Sequence, residues 1–154
     1  MTSYPNGITA LFLQFRQLLL DYSLVASIDQ SERSHAWVAQ QLERMEPPLL
    51  TCEAVISETW FLLGQVSGGR EAFLPYLEQG QVKVAFSLDT ELTSVLAIMR
   101  RYQSVLASLA DAALVRMAEL YPQSAVFTLD SDFQIYRKHR DTPIDLIFRP
   151  LSGF

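Results

Sequence analysis

Short apolar runs alternate with longer amphipathic segments along most of the chain. A short, unbroken apolar run is typical of a strand that is buried on both faces of a sheet. The runs that predict strands are Gln17 to Asp21, Leu49 to Thr51, Val82 to Phe86, Ala125 to Leu129 and Ile144 to Phe148.

Helix-length segments lie between these runs, and several of them end at proline or glycine, which stop helices. They cover residues 33–46, 53–66, 70–78, 89–103 and 108–121, and a short helix is predicted over residues 130–140. Strands that alternate with helices indicate parallel βα units. We therefore predict a three-layer α/β/α sandwich with a parallel sheet of about five strands.

The chain is predicted to form one domain. Its 154 residues are the usual size of a single domain, and a hydrophobic content of 49% argues against disorder. We assign residues 17–150 to this domain and residues 1–16 to an N-terminal extension. Because the apolar runs are too short to span a membrane and no signal peptide is evident, we expect a cytoplasmic protein without a membrane partner.

The residue types available for metal binding are restricted. Cys52 is the only cysteine, and His35 and His139 are the only histidines. A lone thiol offers neither an internal disulfide nor a zinc cluster. Metal chemistry would therefore depend on oxygen ligands, which favours Mg²⁺, Mn²⁺ or Ca²⁺ over zinc.

Two acidic residues follow predicted strands. Asp21 ends the first run, and Asp130 comes directly after the fourth. Ligand crevices in open α/β sheets lie outside the carboxyl ends of the strands, so both positions suit a site. The alternative is that each carboxylate simply caps the turn or helix that follows it.

Two further acids share helix faces with apolar residues. Glu58 lies at helical spacing from Val55 and Leu62, and a carboxylate there needs a cation, a hydrogen-bond network or a raised pKa. Asp111 shares a face with Leu114, but it also completes the capping pattern of the segment 108–111. Capping and ligation therefore both remain open for Asp111.

All four acids fall at strand ends or at the first turns of the following helices. In parallel α/β units these positions meet at one edge of the sheet. Four like charges repel one another unless a cation lies among them. The shared location favours a metal site over four unrelated caps.

Positive charge is scarce but clustered. The formal net charge is −5, which does not favour phosphate binding by the whole surface. Arg137, Lys138 and Arg140 follow the Asp130 loop, and the pair Arg100-Arg101 lies elsewhere. Either cluster would suit a nucleic-acid backbone. The alternative is a solvated helix face.

Four segments together resemble the PIN-domain family and, within it, the small bacterial VapC-type toxins. The likeness runs from about Leu18 to Phe148. It lies in Leu20-Asp21-Tyr22-Ser23, in Thr51 to Glu58, in Ser108-Leu109-Ala110-Asp111-Ala112 and in Thr128-Leu129-Asp130-Ser131-Asp132-Phe133. Two features depart from the family pattern. The first strand normally begins almost at the N-terminus, but here some fifteen residues precede it. Tyr22 is also bulky for a position near the site.

The resemblance implies a set of site residues. The acidic metal-binding and catalytic positions are Asp21, Glu58, Asp111 and Asp130. Asp132 matches a more variable acidic position and is the candidate fifth ligand, while Ser23 and Thr128 match supporting hydroxyls. The resemblance further implies Mg²⁺- or Mn²⁺-dependent endonucleolytic cleavage of RNA, a homodimer and a small inhibitory antitoxin.

Two other functions remain as hypotheses. The first is a non-catalytic PIN-like interaction domain, in which the acids are caps or form a structural cation site. The second is phosphate transfer on a receiver-like scaffold. That scaffold requires a second acid two residues after Asp21, where this chain has Ser23.

Overall fold

The computed structural model describes Phe15 and residues 17–149; almost all of the predicted N-terminal extension, residues 1–16, lies outside the described residues. The strands are β1 (Gln17–Leu20), β2 (Leu49–Thr51), β3 (Val82–Val84), β4 (Ser124–Thr128), β5 (Arg137–Lys138), β6 (Thr142–Pro143) and β7 (Leu146–Phe148). The helices are α1 (Val25–Ile28), α2 (His35–Arg44), α3 (Glu53–Leu63), α4 (Gly69–Glu78), α5 (Leu88–Arg101) and α6 (Leu109–Leu120). Short 3₁₀ turns cover Tyr22–Leu24, Gln103–Val105 and Ser131–Gln134.

The main sheet has five parallel strands in the order β3-β2-β1-β4-β7. This confirms the predicted fold class. The first strand, β1, lies in the centre of the sheet. Strands β2 and β3 follow on one side of β1, and β4 and β7 lie on its other side. The boundary between β1 and β4 is a topological switch point, where α/β proteins bind ligands at the carboxyl ends of the strands.

Apolar residues on alternate faces of the strands form two cores. Leu19 of β1 belongs to a core that α5 and α6 cover, whereas Leu18 and Leu20 belong to a core that α1, α2 and α4 cover. This alternation follows from the pleat, which directs successive side chains to opposite faces. All of β4 is buried, as expected for a strand covered by helices on both sides.

The prediction of a short helix over residues 130–140 is wrong. The chain forms one 3₁₀ turn and then a small antiparallel hairpin of β5 and β6. His139 and Arg140, which lie between these strands, have positive φ angles of 51° and 75°. A right-handed helix cannot continue through two left-handed residues, so the segment turns back on itself.

Among the helices that the structure describes, none is both long enough and apolar enough to cross a membrane.

Candidate active site

Asp21 lies directly after β1 and is almost fully buried, with 1% of its surface exposed. One carboxylate oxygen accepts a hydrogen bond from the Ser23 N–H at 2.8 Å, and the other accepts a short one from the Thr128 hydroxyl. Burial raises the pKa of Asp21 to about 7, and the negative charge of Asp130 also acts in that direction. The residue does cap the following turn, but a buried carboxylate of this kind is more than a surface cap.

Two hydroxyl groups join the end of β1 to the end of β4. The Thr128 hydroxyl donates to Asp21 and accepts the Asp130 N–H at 2.9 Å. The Ser23 hydroxyl accepts the Leu129 N–H, also at 2.9 Å. Both side chains are buried. The positions that the resemblance implied as supporting hydroxyls therefore hold the neighbouring strand ends at a fixed distance from each other.

Asp130 follows β4 at the same edge of the sheet and is half-buried. Its Oδ1 accepts the Asp132 N–H at 2.9 Å, which caps the 3₁₀ turn, and its Oδ2 lies 3.5 Å from the Tyr22 hydroxyl. Asp132 is also half-buried, and burial together with the charge of Asp130 raises its pKa.

Asp111 lies in the first turn of α6 and is 9% exposed. It forms the predicted capping box with Ser108, so the capping alternative is confirmed as a contact. Capping is not its whole environment, because the hydroxyl of buried Tyr136 donates to Asp111 Oδ2 at 3.0 Å. The pKa of Asp111 is raised, because the effect of burial, assisted by the charge of Asp130, outweighs the hydrogen bonds from Tyr136 and Ser108 that lower it.

Glu58 projects from α3, which packs against α6. The residue is half-buried, in agreement with its predicted position beside buried Val55. Burial raises the pKa of Glu58, and the negative charges of Asp111 and Asp130 raise it further. Glu58 is therefore close enough to both carboxylates for electrostatic repulsion to affect its ionisation.

These carboxylates share one electrostatic neighbourhood. The charge of Asp130 raises the pKa of Asp21, of Glu58 and of Asp111. The Tyr22 hydroxyl lies 3.5 Å from Asp130 Oδ2, and burial together with the charges of all four acids raises the pKa of its phenol. In the described part of the chain, no arginine or lysine forms an ion pair with them, since the ion pairs found there join Arg116 to glutamates.

The donor set fits a hard divalent cation, whose preferred ligands are carboxylate oxygens together with carbonyl oxygens and water. Within residues 17–149, however, no three acidic, histidine or cysteine side chains lie in a closed arrangement around one metal position. Carboxylates without a counter-ion repel one another. A cation would therefore have to draw the half-buried side chains of Glu58 and Asp130 toward Asp21 and Asp111.

The basic residues after the Asp130 loop occupy the β5–β6 hairpin. Arg137 Nη1 donates to the carbonyls of Gln134, Ile135 and Tyr136 at 2.8 to 3.1 Å. This guanidinium therefore closes the turn of residues 134–136, which precedes β5, and the sequence did not indicate this contact. Lys138 is half-buried and Arg140 is exposed.

The sequence also did not reveal Tyr136. Its ring is fully buried, yet its hydroxyl reaches a carboxylate 25 positions away. Nothing in local spacing marks such a contact.

A parallel sheet with carboxylates at the carboxyl ends of two adjacent central strands is the place where open α/β domains bind ligands. The model of the PIN domain family matches residues 18–139, and the chain belongs to that family. PIN domains are generally nucleases and typically use divalent metal ions. No curated protein shows significant similarity to the chain.

Proposed function

We propose that the protein is a metal-dependent endoribonuclease that hydrolyses RNA phosphodiester bonds. The observation that carries this proposal is the buried Asp21 carboxylate, which shares its surroundings with Glu58, Asp111 and Asp130. Burial makes the ionised form of Asp21 costly, and a bound cation is the partner that would favour it. Membership in a family of nucleases supports hydrolysis as the reaction.

Asp21, Asp111 and Asp130 are the residues that would hold Mg²⁺ or Mn²⁺, with Asp132 as a further ligand. When bound, such an ion supplies a water of lowered pKa and offsets charge on the phosphate. Glu58 would hold the ion through water, or accept the proton of the attacking water and orient it. Ser23 and Thr128 would keep the strand ends in place through the hydrogen bonds described above.

RNA binding is assigned to the β5–β6 hairpin. Lys138 and Arg140 would contact phosphates, because the Arg137 guanidinium is already bonded to the carbonyls of residues 134–136, whereas no such bond is found for Lys138 or Arg140 in the described structure. Arg137 would contribute through its remaining guanidinium nitrogens. The hairpin follows the Asp130 turn directly in the sequence, and the His139 N–H in its turn donates to Glu119 in the last turn of α6.

We further propose that the protein is the toxin of a cytoplasmic toxin–antitoxin pair. It rests on the VapC-type resemblance, which implies a homodimer and a small antitoxin. Three leucines of α5 spaced four residues apart, Leu88, Leu92 and Leu96, are exposed. Burying such a stripe between two copies would remove apolar surface from water, which supports self-association. Light scattering of the purified protein tests the dimer, and a small neighbouring reading frame tests the antitoxin.

Replacement of Asp21 by asparagine tests the nuclease proposal. We expect the wild type to cleave RNA with Mg²⁺ or Mn²⁺ and not with EDTA. Asp21→Asn should lose at least about 100-fold in rate, because electrostatic and metal-binding groups contribute several kcal/mol to catalysis. The matched control is Asp89→Asn, which alters an exposed carboxylate in α5 and should retain activity. Equal rates for the wild type and Asp21→Asn on several RNAs would contradict the proposal.

A second candidate is a non-catalytic PIN-like interaction domain with a structural cation site. The capping bonds of Asp21, Asp111 and Asp130 favour it, because each of these carboxylates already has a structural partner. This candidate predicts that Mn²⁺ raises the melting temperature while no RNA is cleaved under any metal condition.

A further inference from the structure

Tyr136 is a buried tyrosine whose hydroxyl has one partner in the described structure. Its ring packs edge-on against Phe133 and against Tyr102, with both centroid distances at 5.1 Å. Its hydroxyl donates to Asp111 Oδ2 at 3.0 Å. Phenylalanine would fill the same apolar space without burying a polar group. The hydroxyl is therefore explained by its bond to Asp111 rather than by packing.

The hydrogen bonds to Asp111 are unequal between its two oxygens. Oδ2 accepts from the Tyr136 hydroxyl and from the Ser108 N–H, the latter at 3.3 Å. Among the described residues, Oδ1 accepts no hydrogen bond. Two donors thus fix the rotation of the carboxylate and leave one oxygen available to a cation.

Tyr102 connects this arrangement to the basic hairpin. Its hydroxyl accepts the Arg137 N–H at 2.8 Å, while its ring packs against Tyr136. The two rings therefore join Asp111 to the first residue of β5.

We propose that Tyr136 is a positioning residue for Asp111, and that Tyr102 holds the basic hairpin in a fixed place relative to the acidic residues. This inference rests on the proposed function, since it gives these two tyrosines roles in the metal-binding and RNA-binding parts of the same site. Neither tyrosine touches the reacting atoms. Tyr136 acts through Asp111, and Tyr102 acts through the Arg137 backbone.

Calorimetric titration with Mn²⁺ and RNA-cleavage kinetics test the two roles separately. Tyr136→Phe should bind Mn²⁺ about 10-fold more weakly, as expected when a metal ligand is deprived of its hydrogen-bond partner. Tyr102→Phe should leave Mn²⁺ affinity and kcat unchanged and raise KM for RNA about 3-fold, because it loosens the hairpin alone. Tyr76→Phe, on the opposite face of the sheet, is the matched control and should change neither quantity.

Three outcomes would overturn the inference. The first is equal Mn²⁺ affinity in the wild type and Tyr136→Phe. The second is a loss of Mn²⁺ affinity of the same size in Tyr102→Phe as in Tyr136→Phe, since a general loosening of the aromatic cluster would then explain both. The third is an unchanged KM in Tyr102→Phe.

A double-mutant cycle separates failure of this inference from failure of the proposed function. It compares the stabilities of the wild type, Tyr136→Phe, Asp111→Ala and the double variant in metal-free buffer. Coupling between the two residues supports the positioning role, and additive effects overturn it. If the wild type neither binds Mn²⁺ nor cleaves RNA, the proposed function fails, and the cycle alone decides whether Tyr136 positions Asp111.

Discussion

At the scale of single residues, the structure places a carboxylate where water cannot reach it. Asp21 is held by the Ser23 N–H and the Thr128 hydroxyl, but these bonds do not outweigh the effect of burial on its pKa. Its environment therefore favours a proton or a cation. For this reason Asp21 is the central residue of the proposed metal site, and the other acids are its additional ligands.

This environment predicts how the stability of the metal-free protein depends on pH. The pKa of Asp21 is about 7 in the folded state and 3.8 when unperturbed. Between these values the unfolded chain has lost the proton that the folded chain keeps, so raising the pH favours unfolding. The stabilising contribution is complete below pH 4 and is lost as the pH rises through 7. Burial also raises the pKa of Glu58 and of Asp111, so these two carboxyl groups lower the stability at high pH in the same way.

Urea unfolding in EDTA at pH 5 and pH 8 measures this effect. We expect the wild type to lose about 1–4 kcal/mol of unfolding free energy at the higher pH. Asp21→Asn should show a smaller loss, because its amide does not ionise. A wild-type stability that rises between these pH values, or an equal loss in Asp21→Asn, would contradict this explanation of the Asp21 environment.

The sequence singled out the acidic residues of the proposed site, but it did not indicate their contacts. Asp21, Glu58, Asp111 and Asp130 were recognisable because a charge at a strand end or beside apolar neighbours conflicts with its surroundings. Tyr136 was not, because a buried tyrosine is ordinary and its partner lies 25 positions earlier. The closing of a turn by Arg137 depends on rotamers that sequence spacing does not encode.

At the scale of elements, the parallel strands and most helices were predictable, and the β5–β6 hairpin was not. A strand buried on both faces is a contiguous apolar run, and proline or glycine marks the helix ends. The two strands of the hairpin have two residues each and no apolar alternation. Its turn uses positive φ angles at His139 and Arg140 without glycine, so the usual signal of such a turn was missing.

The basic residues of the hairpin are expected to have two different roles, RNA binding for Lys138 and Arg140 and structural stability for Arg137. Combined replacement of Lys138 and Arg140 by alanine should weaken RNA binding several-fold, without a change in melting temperature. The slope of log affinity against log salt should fall by about one for each phosphate that the variant no longer binds. Arg137→Ala should instead lower the unfolding free energy by about 1–2 kcal/mol, because it removes the hydrogen bonds that the two N–H groups of Nη1 share among three carbonyls.

Filter binding over a range of salt concentrations, together with urea unfolding, checks this division. Lys83→Ala is the control, since it removes an exposed lysine from β3 at the far edge of the sheet. RNA affinity equal to wild type in the Lys138/Arg140 double variant would show that the RNA backbone follows another surface, such as the Arg100-Arg101 pair.

At the scale of the whole molecule, the order of the strands places Asp21 and Asp130 at the ends of neighbouring strands. Residues 21 and 130 are far apart in the chain, but β1 and β4 are neighbours, with Leu20 paired to Phe127. The predicted sheet class placed the acids at one edge without saying which strands are adjacent. Adjacency comes from the return of the chain across β1, and it lets Thr128 bond to Asp21.

The most direct test of the metal site is a crystal structure of the wild type soaked in Mn²⁺, with anomalous scattering used to locate the ion. We expect Mn²⁺ bound directly by oxygens of Asp21, Asp111 and Asp130, with Glu58 bound directly or through a water. We also expect Glu58 and Asp130 to lie closer to Asp21 and Asp111 than in the structure described above. Mn²⁺ bound elsewhere, or no ion among these four carboxylates at saturating metal, would contradict the proposed site.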